Sequence, residues 1–204
     1  MPFETGSELG AQAPLIVGLG GTLRPQSSTE RVIRLVLDNA SSLGARTLQF
    51  TGGELNLPHY APETTERTNE ASQLIEALRD ADAVVIGSPG YHGGISGLVK
   101  NALDYTEDLS RDARVYLDMM PVGCIATGAG WQGANGTLVA LRAVTHSLRG
   151  WPTPMGIAVN TAEPVFDADG KCLNAGLTSQ AKIMAEQILR FLRRARAEDW
   201  GANS

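Results

Sequence analysis

The chain has 204 residues, and its 17 Lys and Arg against 22 Asp and Glu give a formal net charge of −5. A hydrophobic content of 43% with 19% charged residues excludes a disordered chain, and the acidic balance argues against nucleic-acid binding, which needs clustered Lys and Arg. Because the sequence has no membrane-spanning apolar stretch, no signal-peptide pattern and only two distant cysteines, we expect a cytoplasmic protein that is not bound to a membrane.

Short apolar runs alternate with longer amphipathic segments along the chain. The runs predict five buried strands, over residues 15–19, 46–50, 83–87, 122–126 and 155–159. The segments predict five helices, over residues 28–43, about 70–80, from about 96, 134–149 and 177–195, and residues 51–69 are expected to form a long loop. This alternation predicts an α/β, flavodoxin-like three-layer sandwich with a five-stranded parallel sheet in the order 2-1-3-4-5.

No linker, internal repeat or low-complexity tract divides the chain. Its length also falls in the usual range for one domain. We therefore expect a single domain over residues 14–197, between flexible segments at 1–13 and 198–204.

A polar loop follows the first predicted strand, and it contains Gly20, Gly21, four hydroxyl side chains and one arginine. A helix N-terminus presents unpaired N–H groups and a partial positive charge, which suit a phosphate group. An ordinary N-cap needs one hydroxyl, and Ser27 and Glu30 do have capping-box spacing. Four hydroxyls and an arginine favour anion binding, and the candidate ligands are Thr22, Arg24, Ser27, Ser28 and Thr29.

Glycine-rich loops also follow the third and fourth predicted strands. After the third, Gly93 and Gly94 allow a close backbone approach to a ligand, and Tyr91 and His92 are placed to flank a planar ring, although a tight turn alone would explain Pro89 and Gly90. After the fourth, residues 128–133 match the dinucleotide pattern G-x-G-x-x-G, but no Asp or Glu lies between residues 118 and 163 to bind ribose. We interpret this loop as one that lies close to a flat ligand.

Two of these segments resemble motifs of the NAD(P)H-dependent FMN reductase family. The first loop is similar to the family's G-[ST]-x-R-x-x-S pattern, with Thr29 where many members have Asn. The segment after the third strand is similar to S-P-x-Y-x-x-[GS]-x-x-G-x-L-K-N-x-L-D, with Val99 in place of the usual Leu. The matching residues are Gly21, Thr22, Arg24 and Ser27 in the first motif, and Ser88, Pro89, Tyr91, Gly97, Lys100, Asn101, Leu103 and Asp104 in the second.

The resemblance implies FMN at the carboxyl ends of the strands, NADPH as the hydride donor, and a homodimer or homotetramer. Carried over by position, Thr22, Arg24, Ser27, Ser28 and Thr29 would hold the phosphate, Pro89, Gly90, Tyr91, His92 and Gly93 would line the isoalloxazine, and Thr127, Gly128 and Gly130 would close the third loop. Flavin chemistry needs no acid–base pair, so no catalytic residue is assigned. No metal ligand is assigned either, because none of the three histidines has a second ligand at metal-binding spacing. Cys124 is expected to be a buried, inert thiol.

Three functions follow as hypotheses. The first is an NADPH-dependent FMN reductase, which transfers a hydride from NADPH to FMN and passes electrons to a flavin or a small-molecule acceptor. In one version of this hypothesis, the reduced flavin is supplied to a partner monooxygenase. The second is an NAD(P)H:quinone reductase with tightly bound FMN. The third is a non-enzymatic, flavodoxin-like electron carrier, which Arg24 and the modest net charge disfavour.

Overall fold

The computed structural model describes residues 13–197, with side chains to residue 195. Apart from Ala13, the two expected terminal segments (1–13 and 198–204) lie outside the described residues. The helices are α1 (Ser28–Ser42), α2 (Asn69–Asp80), α3 (Gly97–Asp104), α4 (Trp131–Ser147) and α5 (Ala175–Ala197). The strands are β1 (Leu15–Gly20), β2 (Arg46–Phe50), β3 (Ala83–Tyr91), β4 (Gly94–Ile95), β5 (Pro121–Gly128), β6 (Trp151–Pro152) and β7 (Ile157–Asn160).

The sheet runs β2–β1–β3–β5, and β5 also pairs with both β6 and β7. All of these pairings are parallel, which confirms the predicted architecture and strand order. The count differs, because the sheet has seven strands rather than five. One additional strand is β4, which forms a short antiparallel hairpin with the end of β3.

The other additional strand is β6, which precedes the predicted fifth strand at 155–159, and that predicted strand corresponds to β7. Val122 of β5 pairs with Pro152 and Ile125 pairs with Ile157, so two residues of β5 face four residues (153–156) of its neighbour. Pro154 has no N–H group to donate to a ladder. Arg142 instead donates to the carbonyl oxygens of Thr153 and Pro154, at 2.8 and 3.0 Å, and holds the bulge in place.

Helices cover both faces of the sheet, because successive strand residues point to opposite sides. Val84 and Ile86 belong to the core that packs under α2, α3 and α4. Ala83 and Val85 belong to the second core, under α1 and α5. This three-layer arrangement confirms the predicted sandwich, and it brings the loops after β1, β3 and β5 to one edge. Within residues 13–197, no helix combines the length and apolarity that crossing a membrane requires.

Candidate functional site

A cleft of about 590 Å³ opens at the carboxyl ends of β1 and β3. Gly21, Thr22, Leu23 and Arg24 form one wall, and Tyr91, Ser96 and Leu98 form the other. The chain leaves β1 towards α1 on one face of the sheet and leaves β3 towards α3 on the opposite face. Such a switch point is where open α/β sheets bind ligands, and the cleft has the volume of a small-molecule site.

Glycine allows the first loop to pass against β3. The Gly21 N–H donates to the Gly87 carbonyl at 3.3 Å. Gly20 has a φ of 140°, and a Cβ added there would lie 1.8 Å from the Gly87 carbonyl oxygen. Gly20 therefore has both a backbone conformation and a close contact that other residues do not tolerate.

The expected phosphate ligands occupy different depths of the loop. Thr22 is half-buried, and its hydroxyl accepts a hydrogen bond from the Arg24 N–H at 3.1 Å, which curls the loop. Arg24 is exposed and forms no ion pair with a side chain in the described part of the chain. Ser27 is buried, and its hydroxyl caps α1 by accepting from the Glu30 N–H at 3.3 Å, while Ser28 is half-buried.

Thr29 lies behind the loop rather than on its outer surface. Its side chain is buried, and its hydroxyl lies 2.6 Å from the hydroxyl of Thr127 at the end of β5. This hydrogen bond ties the start of α1 to the third loop. Two residues that the sequence assigned to separate parts of the site thus contact each other directly.

The residues expected to line a planar ring lie on a β-hairpin. Gly90 pairs with Ile95 and Tyr91 pairs with Gly94, so His92 and Gly93 form a two-residue turn. Both turn residues have positive φ, 51° and 85°, as a type I′ turn requires. Tyr91 is 55% exposed at the cleft. The sequence analysis described this segment as a loop, although a glycine at the second turn position is a known hairpin signal.

The third loop and α4 support this hairpin from behind. A Cβ on Gly90 would lie 2.5 Å from the Thr137 hydroxyl and 2.9 Å from the Gly133 carbonyl oxygen. The Thr137 hydroxyl also donates to the Gly94 carbonyl at 3.2 Å. The G-x-G-x-x-G run at 128–133 thus includes the first turn of α4, which begins at Trp131 rather than at 134. Gly128 and Gly130 do not line the cleft.

Ser88 and Pro89 fix the start of the hairpin. The buried Ser88 hydroxyl accepts from the Ser96 N–H at 2.9 Å and donates to the Pro89 carbonyl at 2.8 Å. Ser96 in turn caps α3 by accepting from the Val99 N–H at 3.3 Å. These bonds hold the cleft wall formed by Ser96 and Leu98 in register with β3.

The donors and walls of the cleft fit a phosphorylated planar molecule. Thr22 and Arg24 of the loop line the cleft, and Leu23, Tyr91 and Leu98 supply apolar walls. Ser27 and the N-terminus of α1 follow directly along the chain, whereas Ser28 lines a separate pocket with Gln26 and Arg31. The buried hydroxyl oxygen of Thr51 has no hydrogen-bond partner among the described residues, and it lies 3.0 Å from the position of a Cβ on Gly21. Sequence reasoning missed Thr51, Leu23 and Leu98. Thr51 could have been identified from the sequence, because it directly follows β2, whose carboxyl end adjoins that of β1.

The thiol of Cys124 has no part in this cleft. Cys124 is buried in β5, and burial raises the pKa of its thiol above the ordinary value. The thiolate form is therefore disfavoured, and the expectation of a buried, unreactive thiol agrees with the structure.

Comparison with known proteins points to one class of enzyme. Residues 14–164 match the family model described as NADPH-dependent FMN reductase. The FMN-dependent NADPH-azoreductase of Staphylococcus aureus is 30% identical to this chain over 141 residues, which are 68% of this chain and 71% of that protein.

Solved structures show the same fold at lower identity. The flavoenzyme NAD(P)H:(acceptor) oxidoreductase FerB from Paracoccus denitrificans superposes with a TM-score of 0.71 at 19% identity, covering 88% of this chain and 99% of that one. A flavodoxin, WrbA-like protein from Agrobacterium tumefaciens gives a TM-score of 0.61 at 18% identity, covering 90% and 99%. These likenesses confirm the flavodoxin-like fold predicted from the sequence.

Proposed function

The chain belongs to the NADPH-dependent FMN reductase family, and from that premise we propose that the cleft between the first loop and the β3–β4 hairpin is the site where NADPH reduces FMN. The family match and the azoreductase relative confirm the expected enzyme class and its use of FMN and NADPH. They also set aside the non-enzymatic electron carrier. The location of the site and the roles of its residues are our proposal.

The observation that carries this proposal is the meeting of a hydroxyl-rich loop that carries Arg24 and an apolar, glycine-containing hairpin across one cleft. Thr22, Ser27, Ser28 and the N-terminal amides of α1 would hold the phosphate, with Arg24 supplying charge. Pro89, Gly90, Tyr91, His92 and Gly93 would line the ring. Thr29 and Thr127 would act behind the loop, through the hydrogen bond that joins them, and Gly128 and Gly130 would border the ring from the third loop.

FMN, when bound, supplies the redox chemistry by accepting a hydride from NADPH and passing electrons to an acceptor. The protein's own residues orient the two molecules and exclude water. Arg24 is exposed at the cleft mouth, so it can attract the phosphates of FMN and of NADPH. Leu23, Tyr91 and Leu98 provide apolar surface for stacked planar rings.

Steady-state oxidation of NADPH with FMN, FAD or a quinone as acceptor tests this function. We expect FMN-dependent oxidation of NADPH, reduced by Arg24→Gln but not by Arg190→Gln on the exposed surface of α5. Purified protein that neither binds FMN nor oxidises NADPH in its presence would overturn the proposal.

We propose a small aromatic molecule, such as an azo compound or a quinone, as a second class of acceptor. Support comes from the azoreductase activity named for the Staphylococcus aureus relative, and from the exposure of Leu23 and Tyr91 beside the cleft. Double-displacement kinetics with retained FMN would favour this acceptor. Release of reduced flavin into solution would instead favour supply to a partner monooxygenase, which also remains a proposal.

We also propose that the protein is a homodimer or homotetramer built from one domain per chain, over residues 14–197. Four of the large apolar side chains that are more than half exposed lie on α4 or near the sheet edge: Met119, Trp131, Val139 and Trp151. No acidic residue lies between residues 118 and 163, so the segment that carries these side chains presents no carboxylate of its own to oppose association. A stable monomer in light scattering at micromolar concentration would contradict an oligomer.

A further inference from the structure

Glu30 places a carboxylate inside the loop that we propose as the phosphate site. It is the third residue of α1, and its side chain is only 6% exposed. Its Cβ lies 3.6 Å from the position of a Cβ on Gly21, so its stem packs against the loop's backbone. A buried negative charge at this position is unexpected for a site that receives a phosphate dianion.

The carboxylate has two partners. One oxygen accepts from the Gln26 N–H at 2.9 Å, and the other accepts from Arg34 at 2.9 Å. The sequence spacing suggested a capping box, in which Glu30 would bond to the Ser27 N–H. The carboxylate instead reaches one residue further and occupies an amide of the loop itself.

The bond to Gln26 helps to shape the loop. Gln26 has a φ of 57°, in the left-handed region that residues other than glycine rarely adopt. A hydrogen bond to its N–H fixes the peptide plane on one side of that residue. Loss of this acceptor would therefore loosen the loop even if no charge were involved.

The charge of Glu30 has a separate effect. Arg34 offsets it only partly, because the Arg34 side chain is 48% exposed and water screens its charge. The carboxylate is buried, so its repulsion of a nearby phosphate is screened less. Shaping the loop and repelling the phosphate are thus separable properties of one side chain.

We propose that Glu30 sets the affinity of this site for FMN. Its hydrogen bond to Gln26 holds the phosphate loop in shape, while its charge weakens binding of the phosphate, so that FMN exchanges with solution. This inference rests on the proposed function, since it requires FMN phosphate at the first loop. It deepens that function by naming the residue that separates an exchanging flavin from a retained one.

Flavin binding by isothermal titration calorimetry tests this role, with riboflavin as the probe that lacks the phosphate. Glu30→Gln keeps an oxygen acceptor for Gln26 and removes the charge. We expect it to bind FMN about tenfold more tightly than the wild type, to release FMN correspondingly more slowly, and to bind riboflavin with unchanged affinity. Glu76→Gln, the same change on the exposed surface of α2, should alter neither affinity.

Arg34→Gln provides the opposite change, because it leaves the carboxylate in place and removes its partner. We expect FMN to bind at least threefold more weakly, again with riboflavin unchanged. Equal FMN affinity for the wild type and Glu30→Gln, or a shift in the same direction for both variants, would overturn the role of Glu30 and leave the FMN site intact. Equal affinities for FMN and riboflavin in the wild type would overturn the phosphate site itself, and the proposed role of Glu30 with it.

Discussion

Arg24 and Arg67 lie in two loops that follow neighbouring strands, and their surroundings are opposite. Arg24 in the first loop is exposed and has no carboxylate partner among the described side chains. Arg67, in the loop before α2, donates to both oxygens of Asp108, at 2.7 and 2.9 Å. An arginine without a partner at a cleft is available to a ligand, whereas a doubly bonded one holds the fold together.

The second of these loops is fastened at several points. The Arg67 guanidinium also lies over the rings of Tyr60 and Tyr105, 5.1 and 5.5 Å from their centroids. Asn101 donates to the carbonyls of Leu57 and Pro58, at 3.2 and 2.9 Å, and accepts from the Tyr60 N–H at 2.9 Å. Asn101 belongs to the family motif, so part of that motif acts by fastening a neighbouring loop rather than by lining the cleft.

Replacement of Gly20 by alanine should have the largest effect on the first loop. The new Cβ would lie 1.8 Å from a backbone oxygen, at a φ of 140°, and neither β1 nor β3 can shift without breaking the sheet. We expect a loss of about 3 kcal/mol or more in the free energy of unfolding, measured by urea denaturation. Gly53→Ala is the control, because nothing lies within 4 Å of its Cβ position. A Gly20→Ala variant as stable as Gly53→Ala would show that the close approach of β1 and β3 is wrong.

Arg67→Gln should affect stability and leave the flavin site alone. The change removes a two-bonded ion pair and two ring contacts, and it leaves Asp108 without its partner. We expect a loss of about 2 kcal/mol in the free energy of unfolding, with FMN affinity within a factor of two of the wild type. A tenfold loss of FMN affinity with unchanged stability would show that Arg67 serves the flavin site rather than the stability of the fold.

Arg24→Gln should have the opposite outcome. Because Arg24 has no ion pair to lose, we expect the free energy of unfolding to stay within about 0.5 kcal/mol of the wild type. FMN affinity should fall about tenfold, since one charge-assisted contact to phosphate is removed. Fluorescence quenching of FMN and urea denaturation measure the two quantities on the same variant. Unchanged affinity for both FMN and NADPH would remove Arg24 from the site.

The sequence predicts some features of this structure better than others, because some depend on local patterns and others on contacts between distant residues. The apolar strands and the amphipathic helices have strong local periodicity, so their existence, order and layers were predictable. The short strand β6 and the irregular segment between it and β7 were not, because they depend on Arg142 of α4 binding the carbonyls of Thr153 and Pro154. The loop residues of the cleft were found from residue type and motif. How deeply these side chains are buried was not predictable. The position of Thr29 depends on Thr127, which is far away in sequence, and that of Glu30 depends on one hydrogen bond to Gln26 within the loop.

The smallest predicted effect concerns the two cysteines, which extend the comparison from the loops to the core and the surface. Cys124 is buried in β5, and Cys172 is half-buried in the segment before α5. Burial raises the pKa of the Cys124 thiol above its ordinary value of about 8.5. Below that ordinary value both states keep the thiol protonated, so pH has no effect through this group. Above it, the unfolded chain ionises first, so the folded state should lose a little stability as pH rises.

A disulfide-exchange reagent at pH 8 should therefore modify Cys172 in the folded protein and reach Cys124 only after denaturation. The Cys172→Ser variant should show no rapid phase of modification, and Cys124→Ser should keep it. The alkaline loss of stability should be smaller in Cys124→Ser than in the wild type and unchanged in Cys172→Ser. Rapid modification of Cys124 in the native protein would mean that β5 opens without global unfolding, and that the sheet beneath the cleft is not the rigid scaffold described above.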